Sequence, residues 1–276
     1  MPQAAKHLVL IHGAWQGAWA FDAWRPLLAQ AGWTVHTPDL PGNGWGPDAD
    51  APASLATYVD QVLALLRGLD GPVVLLGHSG GGITATAVAE AWPERLAAVV
   101  YLAGIMLPSG RSHGELLGEL QARQPGLDLG GIAPHLQWSA DRRTTTVPEA
   151  AALHIFLHDC EPQAARRAAA LLRPQPESGR ALRPLWTAQR AGRVPRVYVE
   201  CAQDRSIVPA VQQHFQALSP GAQRLVLDCG HVPQLACPAG LTAALLPRLD
   251  TLLALPPLPT LPATASSSPT VAQDLP

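Results

Sequence analysis

Val73-Val74-Leu75-Leu76 runs without a break into Gly77-His78-Ser79-Gly80-Gly81, and the residues from Ile83 to Trp92 carry a helical pattern. A strand that passes directly into a helix must reverse within a few residues, where side chains collide. Glycines two residues before and two after Ser79 remove the Cβ atoms that would meet in such a turn. The serine is expected in strained backbone geometry, its hydroxyl projecting above the end of the strand. A phosphate-binding loop is the competing reading of a glycine-rich turn. Gly77 to Gly82 do not supply the G-x-G-x-x-G fingerprint, and no G-K-[ST] triplet is present.

The same alternation recurs along the chain. Short β-rich runs at Lys6–Ile11, Trp33–Thr37, Pro72–Gly77, Ala97–Ala103, Pro195–Cys201 and Gln223–Asp228 are separated by longer helical patterns. Several runs are almost wholly apolar, as strands covered by helices on both faces must be. Ser54 can cap a helix that carries Leu55, Tyr58, Val62, Leu65, Leu66 and Leu69 on one stripe. A second helix starts just after Ser79 and stops at Pro93, and the last runs from Pro238 to about Leu255. Alternating elements predict an α/β fold with a doubly wound, mostly parallel sheet. The rhythm breaks between Leu107 and Gly192, where helices are expected at Glu149–His158 and Pro162–Leu172 but no core strand is evident. We read residues 107–192 as a helical cap inserted into a core made of 1–106 and 193–254. Residues 255–276 hold six prolines, three consecutive serines and one charge, which predicts a disordered tail.

Bulk properties narrow the function classes. With 19 basic and 21 acidic residues the chain has no cationic excess to neutralise phosphates, so nucleic acid is not an expected partner. The four cysteines form no C-x-x-C pair and read as small buried hydrophobes in a reduced compartment. Leu8 to Ile11 is too short for a signal-peptide core, and no apolar run approaches the ~20 residues that span a bilayer. A cytoplasmic protein without membrane attachment is expected, and nucleophilic chemistry at Ser79 on a small molecule would need no metal or organic cofactor.

A serine hydroxyl needs a base within hydrogen-bond reach to act as a nucleophile. Of ten histidines, His231 stands out, because Gly230-His231 follows the last expected strand and precedes the last helix, at the same sheet edge as Ser79. His78 diverges from Ser79 within the turn and is expected to pack or bond locally. His154 and His158 fall in the cap, and His154 is carried forward as a candidate substrate-binding residue. His7, His36, His113, His135 and His214 offer no comparable argument. The base in turn needs a carboxylate to hold its tautomer. Asp204 lies three residues beyond the strand ending at Cys201; Asp228, at the end of its own strand and three residues before His231, is the runner-up. Backbone N–H groups of Gly80 and of Ala14, in the loop after the first strand, are assigned to an oxyanion hole, where one donor is typically worth ~10²–10³ in rate.

Taken in order, Leu10-Ile11-His12-Gly13-Ala14-Trp15-Gln16-Gly17-Ala18-Trp19, Pro38-Asp39-Leu40-Pro41-Gly42, Gly77-His78-Ser79-Gly80-Gly81-Gly82 and Gly230-His231 resemble the α/β-hydrolase superfamily. The likeness spans residues 6–254 and is nearest to small bacterial esterases akin to the plant methylesterase and hydroxynitrile lyase branch. It implies a triad of Ser79, Asp204 and His231, an oxyanion hole of Ala14 and Gly80, and an apolar cap pocket for a small ester. Similar enzymes place aromatic residues where Trp15 and Trp138 stand, which implies that both wall the pocket. Cyanohydrin-cleaving members carry a threonine in place of Gly13 and a lysine after the histidine, where this chain has Val232; hydrolysis is therefore expected. Epoxide hydrolases and haloalkane dehalogenases need a carboxylate in place of Ser79. Lactone, amide or C–C bond hydrolysis by the same triad stays open, as does a non-catalytic ligand receptor on the same scaffold.

Overall fold

The computed structural model describes residues 5–260, in which the apolar runs pair into a single six-stranded sheet. The first half of the chain supplies β1 (Lys6–Ile11), α1 (Arg25–Gln30), β2 (Trp33–His36), α2 (Leu55–Arg67), β3 (Val73–His78), α3 (Gly81–Ala91) and β4 (Leu96–Leu102). The interruption carries α4 (His113–Arg123), β5 (Gln137–Trp138), β6 (Thr144–Thr146), α5 (Glu149–Ala151), α6 (Pro162–Ala170) and β7 (Gln175–Pro176). The sheet is completed by β8 (Arg196–Cys201), α7 (Pro209–Leu218), β9 (Ala222–Leu227), α8 (Pro233–Ala236) and α9 (Pro238–Leu253).

Strand order is β2-β1-β3-β4-β8-β9, with every pair parallel. Alternate residues of the central strands point to opposite faces. Val9, Ile11, Val73, Leu75 and Val99 join Tyr58, Val62 and Leu66 of α2 and Val88 of α3. Leu8, Leu10, Val74, Leu76 and Val100 join Leu28 of α1 and Leu241, Leu245 and Leu249 of α9. Both faces are covered, so the strands read as continuous apolar runs rather than alternating ones; each fully buried Leu or Val contributes ~1.5–3 kcal/mol. Ser54 caps α2 as expected: its hydroxyl accepts from Thr57 N at 3.1 Å while Thr57 Oγ1 accepts from Ser54 N at 3.0 Å.

From β1 the chain moves outward to β2 and then crosses back to β3 on the other side of β1. The crevice of such a sheet opens over the carboxyl ends of the strands at this reversal. Ile11 and Gly77 are register partners there, so the loops after β1 and β3 leave the sheet side by side.

The segment between β4 and β8 is not purely helical. Besides α4, α5 and α6 it contains a three-stranded antiparallel sheet in the order β5-β6-β7. Strands of two or three residues are too short to show a period-2 pattern. The helix expected over Glu149–His158 is a single turn, α5, that widens into a π-helical turn over Ala152–Phe156. Beyond α9, Leu258 packs on the core and Arg193 Nη2 donates to the Pro259 carbonyl at 2.8 Å, so the first residues of the expected tail are held. The remainder of that tail, 261–276, lies outside the described residues. No helix among the described residues is long and apolar enough to cross a membrane.

The β8–β9 edge is tied by one buried carboxylate. Glu200 of β8 accepts from Arg224 of β9 through Nε at 2.7 Å and Nη2 at 2.8 Å, and from the amides of Gln213 at 3.0 Å and Gln216 at 2.9 Å on α7. Burial alone would push this carboxyl up; the guanidinium fork and the two amides outweigh it and hold the pKa at about 2. A carboxylate with a depressed pKa contributes stability that is present above its unfolded value, 4.5, and is lost as pH falls toward 2. Glu200→Gln is therefore expected to lower Tm by roughly 3–6 °C at pH 7, with the gap to wild type closing below pH ~4. Thermal scans from pH 3 to 7 check this, and a gap independent of pH would contradict it.

Candidate active site

The passage from β3 to α3 shows why the glycines stand where they do. Ser79 has φ 51°, in the left-handed region. A Cβ on Gly77 would lie 2.5 Å from the Gly81 carbonyl oxygen, and one on Gly81 would lie 2.6 Å from that of Ile11. Neither position has room for a side chain. The strain at Ser79 is held by its own backbone groups: its N–H donates to Leu102 O at 3.1 Å, and its carbonyl accepts from Gly82 N at 3.1 Å and Ile105 N at 2.9 Å. The serine is thus fastened to the neighbouring strand end before any side-chain contact is counted.

At the ends of β8 and β9 an imidazole meets a carboxylate. His231 Nδ1 donates to Asp204 Oδ2 at 2.8 Å, and both side chains are buried. The other carboxylate oxygen accepts from Ser206 N at 2.7 Å and Ile207 N at 3.0 Å, while Gln212 Nε2 adds a bond to Oδ2 at 3.3 Å. Gln212 also clamps both backbone groups of Cys201, at 3.0 and 3.1 Å, which fixes the turn that delivers Asp204. Asp228, the alternative carboxylate, instead accepts from Gln203 Nε2 at 2.8 Å.

His231 is gripped from three further directions. His78 Nε2 donates to its carbonyl at 2.8 Å, with the two rings 5.0 Å apart. Phe156, from the π-helical turn, stacks on its ring at 5.4 Å. Asp159 Oδ2 accepts from the preceding Gly230 N–H at 2.5 Å. With Nδ1 taken by Asp204, Nε2 is the ring nitrogen that remains. The structure joins His231 to Asp204; it draws no hydrogen bond from either to the Ser79 hydroxyl.

The loop after β1 is ordered by a second histidine. His12 Nε2 accepts from Leu40 N at 3.0 Å and Nδ1 donates to the Gly13 carbonyl at 2.8 Å, which requires the neutral ring. Burial lowers its pKa and supplies that form, against smaller opposing contributions from the Gly13 bond and Asp39. His78 is driven well below the ordinary value, first by burial and then by His231. Next along the loop, Trp15 takes φ 62° and is fastened at three points. Its N–H donates to Gln175 Oε1 at 3.1 Å, its indole to Thr145 Oγ1 at 3.1 Å, and its carbonyl accepts from Arg173 N at 2.9 Å. The short β6 and β7 strands thus hold the residue beside Ala14. A Cβ on Gly80 would sit 3.7 Å from Ala14 N, so the backbone at the two positions assigned to the oxyanion hole lies close together. Neither N–H group donates to any other described residue.

Ser79, Gly80, Ala14 and Trp15 open into one cavity of about 360 Å³, roofed by residues from α4 and from the 129–133 and 175–182 segments. Its walls combine aliphatic side chains such as Ile83, Ile132 and Leu117 with a few polar groups. Two expected pocket residues lie elsewhere. Trp138 is half-exposed in the two-residue edge strand β5, covered by the Arg142 guanidinium 4.9 Å from its ring. His154 is exposed, because the π-helical turn buries its neighbours Ile155 and Phe156 and points it toward Arg205, 3.5 Å away.

The residues missed from sequence are mostly polar ones buried in apolar surroundings: Gln16, whose amide meets His78 Nδ1 at 3.0 Å, and Thr145, Gln175 and Gln212. No spacing marks them. The four cysteines are all free, with Cys201 and Cys229 Sγ atoms 3.7 Å apart behind the His231 loop. Burial raises the Cys160 thiol to about 12, and the others are raised too, away from the reactive thiolate form.

The tight turn yields a direct contrast. Gly77→Ala forces a methyl group onto backbone and is expected to lower Tm by more than ~10 °C or to abolish soluble expression. Gly118→Ala, where nothing lies within 4 Å on an exposed turn of α4, is expected to leave Tm unchanged or raise it by a few degrees. Melting curves of the two proteins check the pair.

Comparison with known proteins agrees with this architecture. The Alpha/beta hydrolase family matches residues 8–245. Salicylic acid-binding protein 2 of Nicotiana tabacum is 30% identical over 253 residues, covering 87% of this chain and 96% of its own. Polyneuridine aldehyde esterase of Rauvolfia serpentina is 27% identical over 257 residues, 89% of this chain and 96% of its own. The crystal structure of a pyrethroid hydrolase from Sphingobium faniae JZ-2 superposes with a TM-score of 0.78 at 25% identity, over 89% of this chain and 98% of that one. With its parallel sheet, its strained serine turn and these relatives, the chain belongs to the alpha/beta hydrolase family, in the plant methylesterase branch.

Proposed function

We propose that the protein is a serine hydrolase that cleaves the carboxylic ester of a small apolar or aromatic substrate through an acyl-enzyme. The observation that carries this reading is the buried His231–Asp204 contact at 2.8 Å, at the same sheet edge as the strained Ser79. Ser79 Oγ attacks the ester carbonyl carbon while its proton passes to His231 Nε2. Asp204 holds the imidazole tautomer and stabilises the imidazolium. The N–H groups of Ala14 and Gly80 receive the negative oxygen of the tetrahedral intermediate. Collapse breaks the ester C–O bond, and His231 returns the proton to the departing alcohol. Water then attacks the acyl-serine, with His231 as base, and releases the acid.

The relatives support ester hydrolysis: one is named as an esterase, another as a pyrethroid hydrolase. The tobacco relative is named for binding salicylic acid, which keeps a receptor reading in view. A pure binder has no use for a buried imidazole–carboxylate pair at the same sheet edge as a strained serine, and hydrolysis is the better account of those groups. Gly13 and Val232 favour hydrolysis over cyanohydrin cleavage. A Cβ on Gly13 would lie 2.9 Å from that of Ser79, so this backbone has no room for the lyases' threonine.

Stopped-flow hydrolysis of a p-nitrophenyl ester is expected to show a burst stoichiometric with enzyme. Ser79→Ala should remove at least ~10³ of kcat and all labelling by a fluorophosphonate, and Asp204→Asn should cost ~10²–10⁴ in kcat. Wild-type rates in the Ser79 variant would overturn the assignment. A panel in which lactones or amides outpace matched esters would replace the substrate class while keeping the residues.

A further inference from the structure

The glycine that precedes His231 is not required by its own backbone. Gly230 does not have a positive φ, so its conformation is open to residues with side chains. What leaves no room there is the inserted segment. A Cβ on Gly230 would lie 2.5 Å from Asp159 Oδ1, 2.8 Å from Asp159 Cγ and 2.7 Å from His158 Cε1. The carboxylate takes up that space in order to reach the main chain, since its Oδ2 accepts from Gly230 N at 2.5 Å. Among the described residues this is the one hydrogen bond from the inserted segment to the 229–232 peptide.

Two side chains thus hold the backbone of His231 from opposite ends. His78, at the end of β3, donates to its carbonyl at 2.8 Å, and Asp159 takes the N–H one residue before it. The ring itself is held separately, by Asp204 at 2.8 Å and by Phe156 stacked on it at 5.4 Å. A carboxylate acceptor makes a shorter bond than a neutral one, roughly twice as strong. Asp159 is exposed, so the bond is made without taking a charge fully out of water. Losing it would release the peptide at one end while leaving the inserted segment docked, because Phe156, Leu157 and Cys160 pack in one apolar cluster with Trp15 and Val232. Rate and stability respond differently to such a release. A reacting group misplaced by ~1 Å can cost ~10²-fold in rate, whereas loss of one exposed contact moves stability little.

We propose that Asp159 is a positioning residue for His231: it carries the hold of the inserted segment to the peptide that presents the imidazole, and it takes no part in bond making. The inference rests on the reading of His231 as the base of a serine hydrolase. It also accounts for Gly230, which is glycine so that a carboxylate from a distant segment can close on the main chain.

The test uses the purified full chain with p-nitrophenyl acetate and a fluorophosphonate probe. Asp159→Ala is expected to lower kcat by about 10–50-fold with KM within about threefold and Tm within about 3 °C, and to slow labelling of Ser79 by a similar factor. Asp159→Asn, whose amide oxygen can still accept from Gly230 N, should recover most of the loss. Gly230→Ala supplies a second arm. In the otherwise native chain its methyl group meets the carboxylate, and a loss of kcat at least as large as that of Asp159→Ala is expected. Placed on Asp159→Ala it should cost less than about threefold more, the remaining close atom being the far end of the His158 ring. Asp159→Ala within twofold of wild type in kcat and labelling, a loss confined to KM, no recovery in Asp159→Asn, or additive costs for the two substitutions would each overturn the proposal. If wild type is neither labelled nor active on the ester, the hydrolase reading has failed and the proposal falls with it. Equal labelling of wild type and Asp159→Ala leaves that reading standing and removes the proposal alone.

Discussion

Ser79 is held in a conformation that its own chemistry disfavours, and most of the molecule can be read as the means of keeping it there. A non-glycine residue at positive φ persists only where surrounding structure over-determines it. Here two glycines admit the turn sterically, β4 and the loop after it take up the serine's backbone groups, and α3 begins at once beyond it. The parallel sheet matters because it brings the ends of β1, β3, β8 and β9 to one edge. Each end delivers a different chemical group, and none of those groups is near another in the chain.

The inserted segment does more than roof the cavity. Thr145 and Gln175 grip Trp15, Phe156 lies on the imidazole, and Asp159 takes the N–H just before it. Trp15 and Phe156 also stack on each other at 6.0 Å, so the loop after β1 and the loop after β9 are braced by the same cap surface. Substitutions in the cap can therefore disturb the candidate machinery itself as well as substrate fit. The π-helical turn is where this bracing enters, in keeping with the tendency of such widened turns to occur at functional sites.

The core was legible because its signals are local and repeated. Six β-rich runs of four to seven residues, several of them almost wholly apolar, an N-cap at Ser54 and the glycine spacing around Ser79 each announce their element without help from distant residues. His231 and Asp204 were legible for a related reason: in a parallel sheet the position after a strand decides which edge a side chain reaches. The cap was not, because its order comes from contacts across the sequence. Thr145 is recognisable as a support for Trp15 only once residues 130 positions apart have met. Trp138 and His154 failed as pocket residues for the same reason, since residue type says nothing about which way a two-residue strand or a π-helical turn will face.

Three histidines crowd this site, and the hydrogen bonds separate their roles. His12 has both ring nitrogens engaged, one accepting from Leu40 and one donating to Gly13, and burial keeps it neutral. His78 has both engaged as well, with Gln16 and the His231 carbonyl, and is driven still further from protonation. A ring with no free nitrogen cannot collect a proton from a serine and hold it. Of these three, His231 alone combines an anion on one nitrogen with no partner among the described residues on the other. The first two serve as neutral struts that set the backbone around the third. Uncharged neighbours also cost less than cationic ones when an imidazolium forms a few ångströms away, because like charges at such range in a poorly solvated site repel by several kcal/mol at an effective dielectric of ~20. In the proposed mechanism, neutrality of two of the three clustered imidazoles favours transfer of the serine proton to the third, and buried hydrogen bonds that tolerate only the neutral ring, as at His12, supply it.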